Sequence, residues 1–172
     1  MAFASRSLPE NYRPCAGVFL INRAGKIFAA RRIENGNTET SLEKPWQLPQ
    51  GGIDPGETPR DAVMREMLEE IGAASAEIIA ESRDWHCYDL PPETAAKKWG
   101  GRYRGQAQKW FALRFTGTDA EINLETEHPE FCEWKWVDIG EVCDLAVSFK
   151  REVYERIAAE FAHLARPVTS GE

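Results

Sequence analysis

The stretch that most constrains this chain is Gly51–Ala73, GGIDPGETPRDAVMREMLEEIGA, which spells a helix whose side chains call for opposite surroundings. Thr58 stands where an N-cap belongs, Pro59 takes the first helical position, and Asp61 supports the first turn. Gly72 ends the helix at C′. Met64, Met67, Leu68 and Ile71 follow the i, i+3, i+4, i+7 spacing of a core-facing stripe. Glu66, Glu69 and Glu70 follow i, i+3, i+4, which predicts a carboxylate cluster on roughly the opposite face. Like charges at that spacing destabilise a helix. Arg65 can screen Glu69 from the side, but no basic residue falls inside the cluster. Such a cluster is either a solvated acidic face or a site for a divalent cation. Hard oxygen ligands suit Mg²⁺ or Mn²⁺, which bridge protein carboxylates to substrate phosphates. The neighbours favour the cation. Gly51 and Gly52 allow close backbone approach to a ligand, and Glu57 can pair with Arg65 to brace the loop against the helix.

The rest of the chain supplies strands and one more helix. Pro14–Ile21 and Lys26–Arg31 read as neighbouring strands across a turn, 35–45 as a polar surface loop, and Trp46–Pro49 as a short extended piece. Further strands are expected near Glu77–Ala80, Trp85–Leu90, Lys109–Phe115 and Trp134–Asp138, with a basic loop at Lys97–Gly105. Val153, Tyr154, Ile157, Ala158, Phe161 and Leu164 give a closing helix over about 149–164 its apolar face. Strands alternating with two helices predict an α/β protein with a mixed sheet between helices. At 172 residues, with neither repeat nor linker, one domain is expected over 1–172, its core at about 12–162.

Composition narrows the function by exclusion. A net charge of -7 argues against a protein that grips long nucleic acid by neutralising phosphates, so no DNA is expected as partner. It leaves room for recognition of one nucleic-acid end. Cys15, Cys87, Cys132 and Cys143 form no C-x-x-C pair and stand at no zinc spacing, and read as reduced, inert thiols. His86, His128 and His163 read as structural or surface residues. The first ten residues lack the apolar core of a signal peptide, and no apolar run is long enough for a membrane span. A cytoplasmic location is therefore expected.

The segment resembles the Nudix box, G-x5-E-x7-R-E-U-x-E-E-x-G-U, where U is a bulky aliphatic residue. Gly51, Glu57, Arg65, Glu66, Glu69, Glu70 and Gly72 occupy its fixed positions, and Met67 fills the first U. Ala73 departs from it, being small where the last U is larger. Seven fixed matches arise by chance on the order of once in 10⁸ windows. The resemblance implies the Nudix fold, an α/β/α sandwich with a mixed β-sheet and a loop-helix-loop catalytic motif. It also implies two or three bound divalent cations, Mg²⁺ first, with Mn²⁺ and Zn²⁺ as other candidates. The implied metal ligands are Glu66, Glu69, Glu70 and the Gly51 carbonyl, with Glu66 as general base and Glu57 and Arg65 as structural braces.

Outside the box, YRPCAGVFL, WQLPQGGIDPGE, GQAQKWF, EIN, PEF and SFKREVY resemble the RNA pyrophosphohydrolase branch, which includes dinucleoside polyphosphate hydrolases. That likeness implies a further metal ligand in Glu130. It places Arg13, Arg32, Gln106 and Lys150 near the 5′ phosphates or first bases, with Phe149 stacking on a base opposite Arg32. Arg102, Arg104 and Lys109 make the 97–109 region locally basic, and Tyr103 is placed to stack on a second base. Arg104 stands where plant diadenosine polyphosphate hydrolases carry a Lys, which pulls toward that substrate. Two substrates thus compete. One is a 5′-triphosphorylated RNA end, giving pyrophosphate and a 5′-monophosphate that promotes mRNA decay. The other is diadenosine tetraphosphate, giving ATP and AMP. An inactive nucleotide-binding sensor would be expected to lose a box carboxylate, and this chain keeps them all. No RRM, KH or cold-shock signature supports a pure RNA-binding module. A monomer is expected.

Overall fold

The structure is a computed structural model that describes residues 2–33, 45–146 and 148–169, with Ser148 and Phe149 described by backbone alone. All of the expected 35–45 loop except Pro45 lies outside the described residues. In chain order the elements are β1 (Ala2–Ser5), β2 (Tyr12–Ile21), β3 (Ile27–Arg32), β4 (Trp46–Gln47), β5 (Gln50–Gly52) and α1 (Pro59–Ile71). Then come β6 (Ala76–Glu81), β7 (Trp85–Asp89), α2 (Pro92–Lys97), β8 (Gly105–Phe115), β9 (Phe131–Val137), α3 (Ile139–Leu145) and α4 (Ser148–Phe161). A 3-10 turn, Lys98–Gly101, joins α2 to β8.

The two long strands organise the sheet. β2 and β8 lie parallel and in register from Tyr12 opposite Gly105 to Ile21 opposite Arg114. The other pairings are antiparallel: β7 and β6 follow one another along β8, β5 flanks β2, and β9 and β4 flank β3. Both central strands are buried along nearly their whole length, as expected of strands covered on both faces. Side-chain alternation then sorts the core into two layers. Phe19, Ile21, Trp110 and Ala112 point toward α3 and α4, where Val142, Val153, Ile157 and Phe161 meet them. Ala16, Val18, Leu20, Phe111 and Leu113 point the other way, toward Ala62, Val63, Met67 and Ile71 of α1. This is the α/β/α sandwich with a mixed sheet that the sequence predicts.

α1 begins and ends as expected. The Thr58 hydroxyl accepts from the Asp61 N–H at 3.1 Å, and Gly72 takes a left-handed conformation, φ 73°, that only glycine adopts without strain. Its rotation corrects the sequence reading. Leu68, expected in the core stripe, is 53% exposed, whereas Glu66 and Glu70 are 8% and 5% exposed. The helix meets the sheet with Ala62, Val63, Glu66, Met67, Glu70 and Ile71. Two of the three carboxylates therefore belong to the buried face. β1, α2 and α3 were not expected. α3 carries a capping box in which the Asp138 N–H donates to Glu141 at 2.9 Å.

His86 is buried, and burial together with Arg156 pushes it down to about 4, so it stays neutral. His128 and His163 are exposed. Burial pushes the Cys15 thiol up to about 12 and Cys87 up to about 11, consistent with inert thiols. Among the described residues no helix is long and apolar enough to cross a membrane.

Gly17 faces Trp110 across the β2–β8 pair, and a Cβ there would fall on the indole. Gly17→Ala should cost about 1–3 kcal/mol as an overpacked core. A urea titration checks this, and an unchanged midpoint would contradict the packing described.

Candidate active site

The site starts at the β5–α1 loop, where Arg65 uses its whole guanidinium. Nε and Nη2 donate to the two oxygens of Glu57, each at 2.8 Å, and Nη2 also donates to the Gly52 carbonyl at 2.8 Å. Nη1 donates to Glu66 Oε1 at 2.8 Å and to Glu69 Oε2 at 3.1 Å. The Glu57 carboxylate also accepts from the Asp54 N–H at 3.0 Å, closing the loop on itself. The Arg65 hydrogen bonds hold Glu57 down to about 2, so it stays anionic. Loop and helix are thus clamped as one piece.

Glu66, Glu69, Glu70, Glu130 and Gly51 line a cavity of about 470 Å³. Glu130 arrives from the turn before β9, whose position is tied by its carbonyl accepting from the Ile33 N–H at 3.0 Å. Burial raises Glu66, with Glu69 and Glu130 adding to the effect against Arg65. Burial also raises Glu70 well above the usual carboxylate range, and the facing carboxylates of Glu130 and Glu66 add to it. A Cβ at Gly51 would fall on the Glu66 carboxylate, so the glycine makes room for it.

These residues suit a divalent cation. Glu70 Oε2 is buried without a hydrogen-bond partner, and the donors are all hard oxygens. Among the described residues no three His, Cys, Asp or Glu side chains close a cage. Mg²⁺ asks for none, since it keeps much of its shell for water and phosphate.

The same cavity also gathers cations. Arg13, Arg32, Lys98 and Lys150 line the cavity together with Trp99, Tyr88 and Gln106. Mutual repulsion shows in the lysines. Burial, then Arg32 and Lys98, pushes Lys150 down to about 8. Burial, then Arg32 and Arg13, also lowers Lys98. Gln106 is anchored from behind, its Oε1 accepting from the Tyr88 hydroxyl at 2.8 Å and from Gln108 Nε2 at 3.0 Å. Gln108 in turn accepts from the Trp110 indole at 3.0 Å. Gln106 is left with its amide nitrogen to offer a ligand. Gly52 is small because the Arg13 guanidinium occupies the space of its Cβ.

The structure separates other residues from the cavity. Arg104 donates to Asp89 at 2.9 Å and lies over the Tyr12 ring, outside the cavity lining. Tyr12 donates to the same carboxylate at 2.5 Å. Lys109 faces Glu81 and Trp85, and Arg102 lies over Tyr103; none of the three lines the cavity. The Phe149 side chain, with its expected stacking opposite Arg32, lies outside the described residues. Lys98 and Trp99 were not singled out in sequence. Their only signal was membership of the basic 97–105 stretch.

Lys150 should impose a pH dependence on polyanion binding. A folded value near 8 leaves it charged below that pH and neutral above, so affinity for phosphate falls as pH rises through 8. Inorganic tripolyphosphate should bind on the order of tenfold more weakly at pH 9 than at pH 7, with Lys150→Arg removing most of the loss. Matching profiles for wild type and variant, measured by competition, would contradict this assignment.

Comparison with known proteins agrees with the geometry. The NUDIX domain family pattern matches residues 11–157. The chain is 51% identical over 156 residues to an RNA pyrophosphohydrolase of Rhodospirillum rubrum, covering 91% of this chain and 90% of that protein. It is 48% identical over 161 residues to the RNA pyrophosphohydrolase of Rickettsia bellii, covering 94% and 96%. The fold matches a Caenorhabditis elegans Ap4A hydrolase binary complex with a TM-score of 0.58 at 17% identity, over 87% of this chain and 98% of that one. The chain therefore belongs to the Nudix hydrolases, enzymes that act on pyrophosphate bonds.

Proposed function

We propose that this protein is a cytoplasmic RNA pyrophosphohydrolase that converts a 5′-triphosphorylated RNA end to a 5′-monophosphate, promoting mRNA decay. The observation that carries the reading is one cavity lined both by carboxylates and by four cations. A polyphosphate needs both: cations for its standing charge, and carboxylates for a metal and for the proton of the attacking water. Relatives about half identical over most of their length carry that activity in their names.

Glu66, Glu69, Glu70, Glu130 and the Gly51 carbonyl would hold the divalent cation, with Mg²⁺ the expected ion. When bound, such a cation neutralises phosphate charge and acidifies water. The chain's own residues do the rest. Arg13, Arg32, Lys98 and Lys150 hold the triphosphate, and Gln106 donates to it. Glu66 accepts a proton from water as the water oxygen bonds to the α-phosphorus. The bond from that phosphorus to the α–β bridging oxygen breaks, and its electron pair leaves with pyrophosphate. Arg65 fixes Glu66 Oε1, which orients the carboxylate. The feature that favoured a dinucleoside polyphosphate, Arg104, is engaged by Asp89.

Turnover of 5′-triphosphorylated RNA and diadenosine tetraphosphate, compared side by side with Mg²⁺, tests the reading. Efficient pyrophosphate release from RNA is expected; a large preference for the dinucleotide, with ATP and AMP formed, would overturn it. Glu66→Gln should lower kcat by about 10²–10⁴-fold without lowering the melting temperature, since it removes a buried charge. A residual rate above about a tenth of wild type would remove Glu66 as the base.

A further inference from the structure

Trp99 is held in an unusual way. Its backbone sits in the left-handed region, φ 49° and ψ 32°, which a bulky residue rarely enters. Gly100 and Gly101 continue the reversal with φ 65° and 73°. Residues held so against their preference are worth reading for function. The effect here is to carry the indole from the end of α2 onto the cavity wall, where it joins the lining beside Arg13, Lys98 and Gln106. Arg13 Cζ lies 5.1 Å and Lys98 Nζ 5.7 Å from the ring centroid, so the ring stands among the phosphate-binding cations. On its outer side Tyr103 meets it edge-on, centroids 6.0 Å apart, and Arg102 covers Tyr103 at 5.1 Å. Two adjoining rings flanked by cations thus run from the cavity lining to the exposed Arg102.

Such an array is how proteins hold unpaired nucleotides: cations follow the backbone while bases stack on aromatic faces. A purely structural role asks less. Trp99 does pack against the core layer, but a core contact requires neither left-handed backbone nor flanking cations. We infer that the indole of Trp99 is a stacking platform for one of the first two nucleobases of the substrate, placed by the strained 99–101 turn. This rests on the reading of the cavity as a triphosphorylated RNA site and names a residue that selects for a nucleotide body over a bare polyphosphate.

The test is a double-mutant cycle on kcat/KM, pairing wild type, Trp99→Ala and Trp99→Phe with 5′-triphosphorylated oligoribonucleotides carrying an abasic ribose at nucleotide 1, at nucleotide 2, or at neither. Trp99→Ala should cost about 5- to 100-fold on the intact substrate, mostly through KM, and Trp99→Phe much less. At one of the two positions, removing the base should cost wild type a similar factor and leave Trp99→Ala with little further loss. An equal cost of Trp99→Ala on intact and both abasic substrates would overturn the platform, reducing Trp99 to a prop for Arg13 or the core. Wild type that turns over none of these RNAs overturns the parent reading and this inference with it. Wild type that turns over RNA while the cycle is additive overturns only the inference.

Discussion

Everything in this site depends on the Arg65 guanidinium. Several carboxylates on one helical turn and its flanking loop repel one another, and α1 carries them partly on its buried face. Arg65 satisfies Glu57 with two parallel hydrogen bonds and reaches the Gly52 carbonyl, Glu66 and Glu69 with the remaining donors. A lysine, with a point charge and no planar fork, has no equivalent set of contacts. The clamp fixes the loop that supplies Gly51 to the helix that supplies the glutamates. It leaves Glu70, beyond its reach, as the carboxylate with a buried oxygen that lacks a partner.

The sheet converts this local clamp into a site lined by both signs of charge. The parallel β2–β8 pair sets Arg13 opposite Gln106, while β2 also pairs with β5, which brings Gly51 and Gly52 alongside. β3 contributes Arg32 and holds β9, and Glu130 lies immediately before β9. α4 closes the far side with Lys150. Its Tyr154 hydroxyl accepts from the Leu48 N–H at 3.0 Å, tying that helix to the β4–β5 connection. Opposite charges thus converge on one cavity from different elements: the carboxylates from α1 and the turn before β9, the cations from β2, β3, the 98–101 turn and α4. The triphosphate with its cations that the proposed function assigns to this cavity would meet both sets of charges at once.

Much of this was legible in the chain. Thr58, Pro59 and Gly72 announce α1 by the local chemistry of helix ends, and the apolar runs of β2 and β8 announce buried strands. Periodicity was less informative about rotation. It groups residues into faces but not which arc meets the sheet, and Glu66 and Glu70 reversed the expectation that charge marks the outside. α3 did carry a readable signal, Asp138 with Glu141 three residues on, hidden because Asp138 also reads as the end of a strand. β1 exists through its pairing with β7, a long-range contact that no local pattern records. Trp99 was illegible for a similar reason. Its place in the cavity follows from a left-handed backbone held by tertiary packing, and a tryptophan in a basic loop does not announce it.

The most direct test of the central claim, that this cavity presents the α-phosphorus to water, is turnover of 5′-triphosphorylated RNA in ¹⁸O-labelled water followed by mass analysis of both products. The proposed reaction predicts label in the 5′-monophosphate of the RNA and none in the released pyrophosphate. Label in the pyrophosphate, or release of labelled orthophosphate, would place the attack on another phosphorus and contradict the proposed reaction.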